Sequence, residues 1–194
     1  MTPLLDAELA ALAGDLRQVT VRLQVGGAGE GSGVVWRPDG LVVTNAHVAR
    51  GRTARVRLDS GELLVGRVVA REPALDLAAL LVEARGLSAA RLGDAARLRP
   101  GELLLALGHP LGVANAISLG VVHEVVREAD GQPRWISADL RLAPGNSGGP
   151  LAGVDGRVVG INTLVAAGLG FAVPVSVVNA FLRGAGISRN ERAA

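Results

Sequence analysis

Four times in 194 residues, a short Asp-to-Gly turn separates two runs rich in Val, Leu or Ile: Asp39-Gly40, Asp59-Ser60-Gly61, Asp130-Gly131 and Asp155-Gly156. Glycine takes the positive φ that a tight turn demands, and aspartate tolerates turn conformations by hydrogen-bonding its own backbone, so each pair is a hairpin signal. A chain punctuated in this way is mostly antiparallel β. Strands are expected near 53–58, 62–71, 77–82, 103–107, 116–127, 133–139, 157–163 and 169–173. Ahead of them, Val19, Val21, Leu23 and Val25 alternate with Thr20, Arg22 and Gln24, the period of a strand with one buried face. Val34-Val35-Trp36 and Leu41-Val42-Val43-Thr44 flank the turn Pro38-Asp39-Gly40. The glycine-rich run from Gly26 to Gly33 fails the dinucleotide spacing G-x-G-x-x-G in every frame, and no helical pattern follows it. It reads as a loop between strands rather than a phosphate cradle.

Helical periodicity is confined to the ends. Leu4, Leu5, Leu9, Leu12 and Leu16 recur at three- and four-residue spacing after Pro3, and Val175, Val178, Phe181 and Leu182 follow Pro174. Strand pattern lapses between Ser88 and Gly101, where Gly86, Gly93, Pro100 and Gly101 cluster, and this divides the strands into two comparable sets. The fold class expected is all-β: two six-stranded antiparallel barrels, because closure removes the exposed edges that so many strands would present. The expected segments are an N-terminal helix over 1–16, a first barrel over 17–98, a second over 99–174, and a C-terminal helix and tail over 175–194.

Composition narrows the function. Hydrophobic residues make up 49% and charged residues 20%, a globular balance. Net charge is only +2, the basic residues are all arginine and are scattered, and aromatics are 2%, so nothing marks a nucleic-acid partner. The absence of cysteine excludes disulfides, a thiolate nucleophile and a zinc–cysteine site, and no two histidines stand at metal-ligand spacing, so no metal or cofactor is expected. No apolar run reaches membrane-spanning length. The start, Met1-Thr2-Pro3-Leu4-Leu5-Asp6, is not a signal peptide, which points to a cytoplasmic chain or to one from which an export signal has been removed.

The chemistry centres on Pro144-Gly145-Asn146-Ser147-Gly148-Gly149-Pro150. Glycines on both sides of Ser147 allow a turn that points its hydroxyl, and two peptide N–H groups, into a cleft. The motif also fits the G-x-S-x-G elbow of α/β-hydrolases, but those enzymes place the acid and the histidine after the serine, and here no histidine follows Ser147. A base must come from upstream. His47 follows an apolar strand in Thr44-Asn45-Ala46-His47-Val48. His109 lies in the turn Gly108-His109-Pro110-Leu111-Gly112, and His123 lies within a strand beside Glu124. For each, an ordinary buried or solvated histidine is the competing reading. Asp76, set in Ala74-Leu75-Asp76-Leu77-Ala78, is costly to bury unpaired, and a histidine Nδ1–H is its natural partner. Asp139 reads as a group bracing the serine loop.

His47, Asp76 and Ser147 stand in the chain order of chymotrypsin-type enzymes. Thr44 to Val48, Asp76-Leu77-Ala78, Gly108 to Gly112, Asp139 with Pro144 to Pro150, Gly160-Ile161-Asn162-Thr163 and Gly170-Phe171-Ala172-Val173-Pro174 together resemble a trypsin-like serine protease, most closely the protease domain of the HtrA/Deg group. The resemblance runs from about residue 31 to 182. It implies two barrels packed perpendicular, with His47 and Asp76 from the first and Ser147 from the second. It implies Ser147 as nucleophile, His47 as base, Asp76 as its orienting acid, and an oxyanion hole built from the N–H groups of Gly145 and Ser147, with Asn146 completing the turn. The substrates implied are polypeptides, unfolded or extended, in a role such as protein quality control. A catalytically silent binding module or chaperone on the same fold is the alternative.

Several positions depart from that group. Asn146 replaces the aspartate that pairs with a newly cut N-terminus in digestive relatives, so no zymogen cut is implied. His109 stands where Asn or Ser is common, and Ala143 where Asn is usual. No PDZ domain is expected within the 194 residues, and the aromatic N-terminal contacts of HtrA trimers have no counterpart, which leaves monomer and trimer both open. Leu142, with Ile161, Asn162 and Thr163, is expected to line the primary pocket and to favour a small or medium aliphatic residue. If Arg141 enters it instead, acidic residues would be preferred.

Overall fold

The structure, a computed structural model, describes residues 3–26, 29–109 and 116–187. A helix, α1 (Pro3–Gln18), leads into β1 (Thr20–Val25), β2 (Gly29–Val35), β3 (Leu41–Thr44), β4 (Thr53–Arg57), β5 (Leu63–Glu72) and β6 (Leu77–Val82). A linker with one 3-10 turn, Ala95–Arg97, carries the chain to β7 (Leu103–Gly108), β8 (Ala116–Arg127), β9 (Pro133–Asp139), β10 (Pro150–Gly153), β11 (Val158–Ala166) and β12 (Leu169–Pro174), and α2 (Val175–Gly184) follows. The first six strands close in the order β1-β2-β3-β6-β5-β4 and the last six in the order β10-β11-β12-β9-β8-β7. Read from either end, the two orders are the same topology. The fold is therefore two closed six-stranded antiparallel barrels, as the hairpin pattern implies.

Gly40, Gly61, Gly131 and Gly156 all adopt positive φ, between +73° and +97°. Every Asp-to-Gly turn is thus used as a turn. Each barrel has its own interior: Val21, Leu23, Val35, Val42, Val56, Ala78 and Leu80 in the first, and Leu104, Ala106, Val122, Ile136, Leu151 and Ala172 in the second. A third cluster lies between the barrels and under both helices. Val34, Trp36, Leu41, Val43, Leu77 and Ala79 meet Leu105, Leu107, Ile161 and Val173 there, with Leu16 and Phe181 from the helices. Strands β3 and β6 are buried on both faces, which is why they read as continuous apolar runs rather than as alternation.

One expectation changes. The glycine run was expected to be a loop, yet Gly29 to Gly33 belong to β2 and pair in register with Leu23 to Val25 and their neighbours on β1. Its glycines serve packing: a Cβ on Gly33 would come within 2.9 Å of Val42 Cγ1. Leu151-Ala152-Gly153 belong to β10, the strand that closes the second barrel against β7. Pro110, Leu111 and Gly112 of the expected turn lie outside the described residues, as does the tail beyond residue 187.

Candidate active site

The His47 and Asp76 loops are tied to each other before either side chain does anything. β3 ends at Thr44 and the chain turns at once, with the Val48 and Ala49 N–H groups donating to the Asn45 carbonyl at 3.2 and 3.1 Å. Asn45 Nδ2 reaches across to donate to the Asp76 carbonyl at 2.9 Å. Asp76 closes the β5–β6 turn with φ of 51°, a left-handed conformation that aspartate tolerates better than most residues. Its carboxylate collects three donors. The His47 backbone N–H lies 3.0 Å from Oδ1, His47 Nδ1 lies 2.8 Å from Oδ2, and the Thr163 hydroxyl donates to Oδ2 at 2.5 Å. An ionised carboxylate only accepts, so Nδ1 carries the hydrogen and Nε2 is left with its lone pair free for a proton. Burial pushes the Asp76 carboxyl up, but the hydrogen bonds from the His47 ring, the Thr163 hydroxyl and the His47 N–H outweigh it, and the group ionises below the usual aspartate value.

The serine loop joins β9 to β10. Gly145 and Gly148 take φ of 104° and 86°. A Cβ on Gly148 would collide with the Ser32 carbonyl, so the loop sits directly against β2 of the other barrel. Within the loop, Asn146 N–H donates to Ala143 O and Gly149 N–H to Asn146 O, both at 3.0 Å, and Gly148 N–H donates to Asn162 O at 2.8 Å. The N–H groups of Gly145 and Ser147 donate to no described residue. Of the three expected to form an oxyanion hole, Asn146 is thus committed to the turn, and Gly145 and Ser147 keep their donors unspent.

Ser147 Oγ donates to the Thr163 carbonyl at 2.9 Å, and no hydrogen bond joins it to His47. Thr163 therefore touches both sides of the site, its hydroxyl on Asp76 and its carbonyl on the Ser147 hydroxyl. The sequence reading placed Thr163 in the substrate pocket. A hydroxyl side chain buried within the apolar run Val158–Val165 must find a partner, and that was the available signal. Thr163→Val keeps the shape and deletes the donor. It is expected to cost about 1–3 kcal/mol at neutral pH. Because the folded Asp76 titrates below its unfolded value of 3.8, its contribution is complete above that value and disappears as pH falls through the lower folded one. Urea unfolding should therefore show a smaller gain in stability between pH 2 and pH 6 in the variant than in the wild type.

Beside the loop lies a cleft of ≈ 490 Å³ lined by Leu140, Arg141, Leu142, Ala143, Asn146 and Val165 among others. Leu140 and Leu142 share a face, since a Cβ on Gly170 would meet both, at 3.0 and 3.1 Å. Leu142, expected to line the primary pocket, is among the residues that line this cleft. Ile161, Asn162 and Thr163 do not line this cleft. Ile161 is fully buried between the barrels, Asn162 Nδ2 donates to Pro150 O at 2.9 Å, and Thr163 is turned to Asp76, because the bulge between Asn162 and Leu164 carries this segment inward. Arg141 lines the cleft together with Asp139. The Asp139 carboxylate makes no hydrogen bond or ion pair with a described residue, so it does not brace the serine loop through its side chain. His123 is exposed at a bulge in β8, and His109 is buried behind the serine loop. Among the described residues no group of three or more His, Cys, Asp or Glu forms a metal site, and no described helix is long and apolar enough to cross a membrane.

Two barrels with a His–Asp pair on one and a glycine-flanked serine on the other define the trypsin-like class. A profile of the family described as "Trypsin-like peptidase domain" matches residues 31–161, and the chain belongs to that family. Its relatives include the "Putative serine protease HhoB" of Synechocystis sp., 41% identical over 157 residues that cover 76% of this chain and 38% of the relative. "Serine protease HTRA2, mitochondrial" of Drosophila ananassae is 35% identical over 177 residues, 86% of this chain and 42% of the relative. The Bos taurus protein of the same name is 42% identical over 161 residues, 78% of this chain and 35% of the relative. The resemblance to the HtrA group thus holds, and the chain spans about two fifths of the length of the curated relatives it matches.

Proposed function

We propose that the chain is a serine endopeptidase acting on extended or unfolded polypeptides. The observation that carries this reading is the bridge that Thr163 makes across the site, its hydroxyl on the carboxylate of the His47–Asp76 pair and its carbonyl on the Ser147 hydroxyl, with the Gly145 and Ser147 N–H groups donating to no described residue. Ser147 Oγ leaves the Thr163 carbonyl, passes its proton to His47 Nε2 and bonds to the substrate carbonyl carbon. The oxyanion that forms sits between the two N–H groups, and Asp76 stabilises the imidazolium. His47 returns the proton to the departing amine, the acyl group stays on Ser147, and water repeats the sequence in reverse roles. Named serine proteases among the relatives support the same chemistry.

The reading is tested by incubating the protein with casein and sizing the fragments. Internal cleavage that a fluorophosphonate abolishes supports it. Intact casein under conditions where the protein is folded contradicts it and favours a non-catalytic binding module.

The lining of the cleft supports a preference for aliphatic residues. Leu142, Leu140, Ala143 and Val165 are apolar, while Arg141 and Asp139 place one charge of each sign beside them. Among peptides varied only at the residue before the scissile bond, Ala, Val and Leu are expected to exceed Asp and Lys by about tenfold or more in kcat/KM. A preference for Asp would place Arg141 in the pocket instead.

A further inference from the structure

Two features of the sequence remain unused by this mechanism: the glycine run that became β2, and the buried His109. They meet at Ser32. This residue is 0% exposed, and every polar atom it has is committed. Its N–H donates to Ser147 O at 2.8 Å, its carbonyl accepts from Thr44 Oγ1 at 2.6 Å, and its hydroxyl donates to Gly145 O at 2.7 Å. The hydroxyl has a single hydrogen, which goes to Gly145 O, and its lone pairs face His109, whose N–H lies at 3.0 Å and whose Nδ1 lies at 3.2 Å. The Gly145 carbonyl also receives the His109 N–H at 3.3 Å. The packing is close: a Cβ on Gly108 would come within 2.7 Å of Asn146 Cα and 3.1 Å of Ser32 Oγ.

The consequence is geometric. The peptide between Gly145 and Asn146 is a rigid plane. Ser32 holds it by the oxygen, and the Ala143 carbonyl holds it by the Asn146 N–H at 3.0 Å. Holding that plane at both edges fixes where the Gly145 Cα sits, so only the two torsions of Gly145 itself, at φ of 104°, remain to set the direction of its N–H. The next carbonyl along that Ser32 holds, that of Ser147, fixes the other side of the nucleophile.

We propose that Ser32 is a positioning residue for the oxyanion hole, setting the Gly145–Asn146 peptide from the opposite barrel, and that His109 keeps the Ser32 hydroxyl aimed by donating to it. The proposal rests on the reading of Ser147 as nucleophile and Gly145 N–H as an oxyanion donor. It makes the hole a joint product of both barrels: the first supplies the anchor, the second the donors.

A substrate carbonyl takes on negative charge only in the transition state, so a loosened hole lowers kcat and leaves ground-state binding alone. Ser32→Ala is compared with wild type and Ser147→Ala on an aliphatic peptide substrate, with a peptide boronic acid as a tetrahedral mimic and the cleaved product peptide as a ground-state ligand. The expected result is a kcat lower by about 10- to 100-fold with KM within about threefold. Boronic acid affinity falls by a similar factor and product affinity is unchanged. If Ser32→Ala does not fold, Ser32→Cys, a weak donor of similar size, is expected to show the same pattern at smaller amplitude. Wild-type kcat in either folded variant overturns the proposal, as does an equal loss of boronic acid and product binding, which general loosening of the cleft would give. Turnover in Ser147→Ala equal to wild type sinks the nucleophile reading itself, and the proposal with it.

Discussion

Ser147→Ala is expected to lose on the order of 10⁴- to 10⁶-fold in kcat on an aliphatic peptide substrate, with KM close to wild type. The substitution removes one oxygen atom and leaves the loop intact: Gly145 and Gly148 keep their positive φ, and Ser32 N–H still finds the carbonyl of residue 147. What goes is the hydroxyl that, in the proposed mechanism, gives its proton to His47 and attacks the substrate carbonyl. In the resting site that hydroxyl donates to Thr163 O, a neutral hydrogen bond of the kind worth about 1 kcal/mol net, so breaking it is a small fraction of any chemical barrier. A residual rate is expected, because the hole and the cleft still bind and polarise the substrate. Continuous fluorescence of a quenched peptide measures both parameters, and a loss in KM instead of kcat would contradict the assignment.

Asp76→Asn is expected to lower kcat by about 10⁴-fold while the fold survives. The amide keeps the size of the carboxyl: its oxygen, in the Oδ1 position, can still accept from the His47 N–H, and the Thr163 hydroxyl, beside the other position, can turn to accept from the NH₂. Its NH₂ must then face His47 Nδ1, now at 2.8 Å from a carboxylate oxygen. A donor facing Nδ1 drives the ring to the tautomer with hydrogen on Nε2, which has no lone pair left for the serine proton. The negative charge that stabilises the imidazolium is lost as well. Since Asp76 acts only through His47 and Ser147, the double variant Ser147→Ala with Asp76→Asn should be no slower than Ser147→Ala alone. Additive losses would mean that Asp76 acts on something else.

The hairpin framework was legible because each Asp-to-Gly turn is a local matter: positive φ at Gly40, Gly61, Gly131 and Gly156 follows from the dipeptide and its flanks. Chain order did similar work for the site, since a serine with no histidine after it leaves few arrangements. What escaped was set by contacts distant along the chain. β2 looks like a loop because glycine is poor strand material, and only Val42 and Val48 crowding its face explain the choice. Thr163 was read as pocket wall because its partner, Asp76, lies 87 residues away on the other barrel. His109 was weighed as a base in a turn, and its contact with Ser32, 77 residues earlier, gives it a different task. The shared face of Leu140 and Leu142 was legible because strand alternation alone decides it, whereas the bulge between Asn162 and Leu164 breaks that alternation at Ile161, Asn162 and Thr163.

The central claim is that Ser147 Oγ becomes covalently acylated during turnover. An activated ester of a small aliphatic acid, mixed rapidly with the protein and quenched in acid within the first turnover, tests it directly by intact-mass and peptide-mapping spectrometry. The account predicts one acyl group per chain, mapped to Ser147, in wild type and none in Ser147→Ala. Ester hydrolysis that proceeds at the wild-type rate with no acyl group on Ser147 would contradict it.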